Sequence, residues 1–212
     1  MYLPAHFEET RPEVLHALVR SHPLATWVVQ ASGGLQVNHI PFMLDADRGP
    51  HGTLVGHVAR ANPVWRSPGP SVAVFQGPQA YISPSWYPSK REHGKVVPTW
   101  NYAVVHAHGT PRAIESPDEV LAIVSRLTQT HEAGSAVPWA VSDAPADYIA
   151  QMLQAIVGIE IPLERLVGKW KASQNRGAPD RLGTVAGLRQ RGDEQSLGMA
   201  ALVPTGGGTP AR

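Results

Sequence analysis

The stretch FQGPQAYISPSWYPSKREHGKVVPTWNYAVVHAHG, Phe75 to Gly109, decides the fold. Two apolar, β-rich runs flank a segment dense in Trp, Tyr, Pro and Lys. The first run, Ser71 to Gly77, carries Val72, Val74 and Phe75 and is expected to stop at Gly77-Pro78. The second, Val96 to Gly109, carries Trp100, Tyr102, Val104 and Val105. Between them lies Ser83-Pro84-Ser85-Trp86-Tyr87-Pro88. Proline lacks a backbone donor and fixes φ, so this piece cannot be a central strand. A polar, aromatic, proline-pinned loop between two strong strands serves a site more often than a core.

Upstream, Met1 to Glu9 reads as an extended arm with Tyr2, Leu3 and Phe7 as anchors. Thr10 and Glu13 have capping-box spacing and Pro12 suits a first helical turn, so a helix runs through Val14, Leu15, Leu18 and Val19 to end before Pro23. Leu24–Gln30, Leu35–Met43 and Thr53–Val58 read as strands, the first two joined by a hairpin turn at Ser32-Gly33-Gly34. A short helical link at Ala59–Trp65 and strands near Ser71, near Ala80 and from Val96 follow. Downstream, Ser116, Pro117 and Glu119 predict a capped helix carrying Val120, Leu121, Ile123, Val124 and Leu127. Ala133–Pro145 reads as a loop anchored by Trp139. Asp147–Ile156 is a short helix, and Val157–Leu166 a strand up to Pro162. Gly168–Arg176 is a polar loop, Pro179–Arg191 a helix, and Ser196–Val203 a further short one. Short strands at hairpin spacing with grouped helices predict an α+β, mainly antiparallel barrel or sandwich with peripheral helices. The expected organisation is one domain over residues 1–192 and a tail over 193–212, whose Gly- and Thr-rich end lacks regular structure.

The chain has 212 residues, net charge +1 and no cysteine. That excludes disulfides, thiol chemistry and cysteine metal sites, and leaves no strong basic footprint for nucleic acid. No apolar run reaches membrane length and no signal-peptide pattern opens the chain, so a cytoplasmic protein is expected. A GxGxxG after a strand, a GxSxG elbow, an HExxH and a helix-turn-helix pattern are all missing, and Gly168-Lys169 lacks the rest of a P-loop. Ten histidines pair by chance in a chain this long. His106 and His108 share a strand face without matching carboxylates, so no metal site is expected.

Three polar clusters stand in apolar strand context: Gly56–Pro63 (GHVARANP), Pro98–Tyr102 (PTWNY) and Gly168–Arg176 (GKWKASQNR). Together they supply what a phosphorylated aromatic ligand requires. Arg60, Lys169 and Lys171 can pair with a phosphate, Arg by a planar fork and Lys as a point charge. Thr99, Asn101, Gln174 and Asn175 suit ring carbonyls and ring N–H groups. Trp100 or Trp170 can cover a flat ring. The same residues also suit a solvated surface loop around a core Trp.

The words HPLATWVV, NHIPF, LVGHVARANPVW, VFQGPQAYISPSWYPSK, VVPTWNYAVVHAHG and VGIEIPLERLVGKWKASQNR occur in that order, from the start to about Leu188. The series resembles the PaiB-type family of FMN-binding negative transcriptional regulators. The resemblance implies an FMN-binding split β-barrel, a homodimer with FMN near the subunit interface, and transcriptional repression. Ala172 departs from it, standing where a larger aliphatic residue is expected. In split-barrel flavoproteins basic residues at a strand end and the following short helix hold the phosphate. Arg60 is therefore the leading phosphate ligand, with His57 and Asn62 beside it. Thr99, Trp100 and Asn101 are expected along the ring, and Lys169, Lys171 and Gln174 at the pocket edge or from a partner subunit. The fold leaves two functions open: a regulator with flavin as structural or sensory ligand, or an FMN-dependent oxidoreductase. Direct DNA binding, if the chain has it, would rest on scattered Lys and Arg.

Overall fold

The computed structural model describes residues 1–67 and 69–206. The glycine-rich end expected to lack regular structure lies, from residue 207 onward, outside the described residues. In chain order the elements are β1 (Glu8–Glu9), α1 (Pro12–Ser21), β2 (Leu24–Ala31), β3 (Gly34–Pro41), β4 (Met43–Asp45), β5 (Thr53–Ala59), β6 (Ser71–Ile82) and α2 (Ser89–His93). Then come β7 (Thr99–Gly109), β8 (Arg112–Ile114), α3 (Pro117–Glu132), α4 (Ala146–Gln154), β9 (Ile156–Lys171), α5 (Ala178–Arg191) and α6 (Glu194–Leu202). The strands follow the order β3-β2-β6-β7-β9-β5-β4, with β1 and β8 also on β9. The chain divides into two compact units. One holds Met1–Leu15, Gln76–Val105 and Val167–Arg212; the other holds His16–Phe75 and His106–Leu166.

The second of these units is built from hairpins. β2 and β3 pair antiparallel from Leu24↔Pro41 to Ala31↔Gly34. Gly34 closes the turn at φ 111°, a conformation that a Cβ would strain. β4 pairs β5, and both β5 and β8 pair the first part of β9, all antiparallel. Side chains alternate across each strand, so Trp27, Val29, Leu54, Ile159 and Ile161 reach a common core. Phe42 stands edge-on to Trp27, centroids 5.8 Å apart. Gly56 follows from that packing, because a Cβ there would come within 2.9 Å of the Phe42 ring. α3 buries Val120, Ile123 and Leu127. Pro117 opens it as expected, but the Ser116 side chain makes no capping bond. Trp139 is not an anchor; it is 46% exposed.

The other unit revises three expectations. β6 does not stop at Gly77-Pro78 but continues to Ile82. The Pro78 ring packs at Gly198 of α6, where a Cβ would meet it at 3.0 Å, so packing offsets the lost ladder donor. The aromatic segment after β6 goes to the core. Tyr87 is buried with Ala80, Ile82, Ala172, Leu188 and Met199. Trp86 lies against α5, where Gly183 and Gly187 stand four residues apart and clear one flat face. Finally, the Lys169-Trp170-Lys171 word is strand, not loop. β9 passes Pro162 because that residue faces Thr53, the end of the β5 ladder, where a missing N–H forfeits little. Further along, β1 pairs β9 at Glu8↔Lys169 and Glu9↔Gly168 and extends the strand's hydrogen bonding. α6, in the expected tail, buries Met199 and Ala200 and belongs to this core.

Candidate functional site

The word GHVARANPVW folds into a knot at the end of β5. Arg60 donates Nε to the Gln154 carbonyl at 2.9 Å, Nη2 to the Ile156 carbonyl at 3.2 Å and Nη1 to Glu115 at 2.8 Å. Three of its five N–H groups are thereby used, leaving two for another acceptor. Asn62 accepts from the Val64 N–H and donates to Asn38 at 2.7 Å, which caps the turn Pro63–Arg66. Trp65 donates its indole N–H back to the Arg60 carbonyl. His57, in β5, has a buried Nδ1 without a partner among the described residues. Burial pushes its pKa below the ordinary imidazole value.

The remaining candidates gather in the other unit, where β7 begins and β9 ends. Alternation along β7 turns Trp100 and Tyr102 one way and Asn101 and Ala103 the other. Asn101 is 1% exposed, and its amide donates to the Ser173 hydroxyl at 2.8 Å. Ser173 sits at φ 63°, left-handed backbone that a non-glycine residue rarely adopts. Gln174 folds onto the same turn, accepting from Ala172 N–H at 2.7 Å and donating to the Trp170 carbonyl. Asn101 and Gln174 thus brace the turn that ends β9. Facing the other way, Trp100 is 55% exposed and meets Tyr81 edge-on at 6.1 Å.

Lys169 and Lys171 project from the same face of β9. Lys171 donates to the Thr99 hydroxyl and, at 2.8 Å, to the Trp100 carbonyl. Lys169 donates to the Tyr2 carbonyl at 3.0 Å and lies 5.3 Å from the centre of the Tyr102 ring. Among the described residues every salt bridge is made by an arginine, and neither lysine has a carboxylate partner. Burial pushes the Lys171 ammonium below its usual range; Tyr102 opposes this, while Lys169 and Arg176 push the same way. Among the described residues Arg176 also makes no ion pair, its guanidinium resting 5.0 Å over the Tyr87 ring. Partly enclosed cations held only by neutral oxygens and rings are under-compensated, and an incoming anion corrects that.

The model of the family described as "Putative FMN-binding domain" matches residues 1–165. The chain belongs to that family. An uncharacterized protein of Aspergillus fumigatus is 34% identical, with 96% of each chain covered. The Bacillus subtilis "Protease synthase and sporulation protein PAI 2" is 31% identical over 96% of each chain. Among solved structures, the FAD and heme binding protein of Mycobacterium smegmatis is similar at TM-score 0.57 and 18% identity, covering 77% of this chain and 73% of that one. The family member's fold is the one expected from its sequence: a mainly antiparallel split β-barrel with peripheral helices. FMN is the cofactor that membership carries.

The donor set beside β7 and β9 fits that cofactor. Two ammonium groups without counter-ions suit a phosphate dianion, the Thr99 hydroxyl adds a neutral partner, and an open indole suits a flat ring. Sequence reasoning read Tyr2 only as an anchor of the arm, left Ser173 without a role inside GKWKASQNR, and did not single out Tyr81. The Tyr2 carbonyl at Lys169, the left-handed backbone at Ser173 and the Tyr81–Trp100 ring contact appear only in the fold. Among the described residues no group of His, Asp and Glu could hold a metal ion, and no helix is long and apolar enough to cross a membrane.

Proposed function

We propose that the chain is a flavin-dependent regulator that holds FMN as a structural or sensory ligand in a homodimer. The phosphate is taken by Lys169 and Lys171 with Thr99, and the isoalloxazine lies along Trp100. The observation that carries this is the pair of lysines on one face of β9 with no carboxylate partner. Asn101 and Gln174 brace the turn that follows the strand from which the pair projects. FMN, when bound, supplies reversible electron transfer through its ring system. The regulatory reading draws on the resemblance of the sequence words to the PaiB-type regulators; the similar Bacillus subtilis protein is named for protease synthase and sporulation. Dimerisation draws on exposed Trp100 and Tyr81, which meet edge-on at 6.1 Å and present apolar rings that a second copy would cover.

Titration of flavin fluorescence tests the anchor. Lys171→Met and Lys169→Met should each weaken FMN by about tenfold or more, with circular dichroism unchanged. Arg60, with two N–H groups left, is the competing anchor. Arg60→Ala would then weaken FMN by about one to two decades while both lysine variants bind normally, and that result would overturn the lysine assignment. A stable monomer at micromolar concentration in sedimentation would remove the dimer.

The second reading is an FMN-dependent oxidoreductase. It has in its favour the exposed Trp100 and Tyr81 rings, flat faces on which a second aromatic substrate can stack. Steady NAD(P)H oxidation by the flavin-loaded protein would select it. Direct DNA binding, resting on dispersed Lys and Arg, should be weak and fall steeply with salt in a gel shift.

A further inference from the structure

Lys169 is the most enclosed cation of the anchor, 7% exposed. An ammonium has three donors. Among the described residues this one has a single hydrogen-bond acceptor, the Tyr2 carbonyl at 3.0 Å. Ring faces cover the rest: Tyr102 at 5.3 Å and Tyr2 itself at 5.7 Å. A neutral oxygen and two rings are poor compensation for a buried charge.

The residue that supplies this cover is itself loosely held. Tyr2 is 84% exposed. Leu3 and Pro4 are partly buried and the Pro4 carbonyl accepts from the Phe7 N–H at 2.9 Å; beyond them the chain is held by buried Phe7 and by β1, where Glu8 pairs with Lys169 itself. Residues 1–4 therefore reach the ammonium from a fixed base only a few residues away. An arm tethered there can leave and return without disturbing β9.

We infer that the Tyr2 carbonyl is a built-in stand-in for an anion. Residues 1–4 are a strap that closes over Lys169 when no phosphate is present and is displaced when the FMN phosphate binds. The inference rests on the lysine anchor proposed above. A closed strap lowers apparent affinity by the fraction of molecules in which Lys169 is free, and it slows association for the same reason. The effect belongs to the phosphate, because the carbonyl competes only for the ammonium. Riboflavin, which lacks the phosphate, is indifferent to the strap.

Deletion of Tyr2–Pro4 is the direct test, with FMN and riboflavin titrated in parallel by fluorescence and their association followed by stopped flow. The deletion should tighten FMN by about tenfold and speed its association, leaving riboflavin unchanged. Tyr2→Gly, which keeps the carbonyl but removes the ring, should move FMN the same way by a smaller factor and serves if the deletion misfolds. Equal changes for both flavins, or weaker FMN binding, would make the arm part of the pocket or of the fold and overturn the strap. Lys169→Met separates the two layers. If it weakens FMN while the deletion changes nothing, the strap falls and the anchor stands. If folded Lys169→Met binds FMN normally, the anchor itself fails.

Discussion

At the residue scale, Gly187 is decided by one neighbour. A Cβ there would lie 2.2 Å from the Trp86 ring, which also carries Arg191 at 4.9 Å on it. The partly buried indole packs against the core on one side and α5 on the other, so Gly187→Ala forces it to shift and should destabilise the protein by about 1–3 kcal/mol although alanine favours helix. A urea melt showing a gain in stability would refute that packing. Ser173 poses the opposite case. Its hydroxyl is the acceptor for buried Asn101, so Ser173→Ala leaves an amide without a partner and should cost about 1–3 kcal/mol. Ser173→Gly relaxes the left-handed backbone while losing the same hydroxyl, and should be milder than Ser173→Ala by roughly 1 kcal/mol. The ranking of the two variants in thermal melts checks it.

At the element scale, Arg60 ties the end of β5 to the carbonyls between α4 and β9 and to Glu115 before α3. Arg60→Ala should lower the melting temperature of the flavin-free protein, by an amount corresponding to about 1–3 kcal/mol. Arg60→Lys should recover only a part, since one ammonium cannot reproduce the fork. An unshifted apo melt would mean that these contacts contribute little and would return Arg60 to the phosphate. Strand ends were the least legible elements in the sequence. Prolines at positions 78 and 162 signal breaks, yet β6 and β9 run through both. Proline's local penalty is real, but a packing partner at Gly198 and a ladder end at Thr53 make it small at these two places.

At the scale of the whole molecule, burial lowers the pKa of His57, His106 and His108; His108 further lowers His106, and the Arg165 charge lowers both His106 and His108. The unfolded chain takes up protons near pH 6.5, while the folded one resists them. The stability these groups contribute is complete above that value and is lost as pH falls toward the depressed folded values. Melts should therefore drop between about pH 7 and 5, and His106→Gln with His108→Gln should flatten the fall. A melting temperature that is flat or rises over this range would contradict the burial of these rings.

The sequence by itself determined the secondary-structure alphabet, the hairpin order of the early strands, the helical second half and membership of the FMN-binding family. Those depend on period, turn chemistry and a series of words in fixed order, all of which are local. It also marked Thr99, Lys169 and Lys171, whose side chains the fold brings to the start of β7 and the end of β9. What only the tertiary structure decided is which polar groups are already spent. Asn62 and Asn101 look as available in the sequence as Lys171 does, yet partners 24 and 72 positions away occupy them, and Arg60 gives three of its five N–H groups to partners 55 to 96 positions away. Likewise the Trp86–Tyr87 segment reads as a loop that serves a site, because its fate depends on two glycines of α5 that clear a face for it. Hydrogen-bond satisfaction and close packing are properties of contacts between distant residues, so no local pattern can carry them.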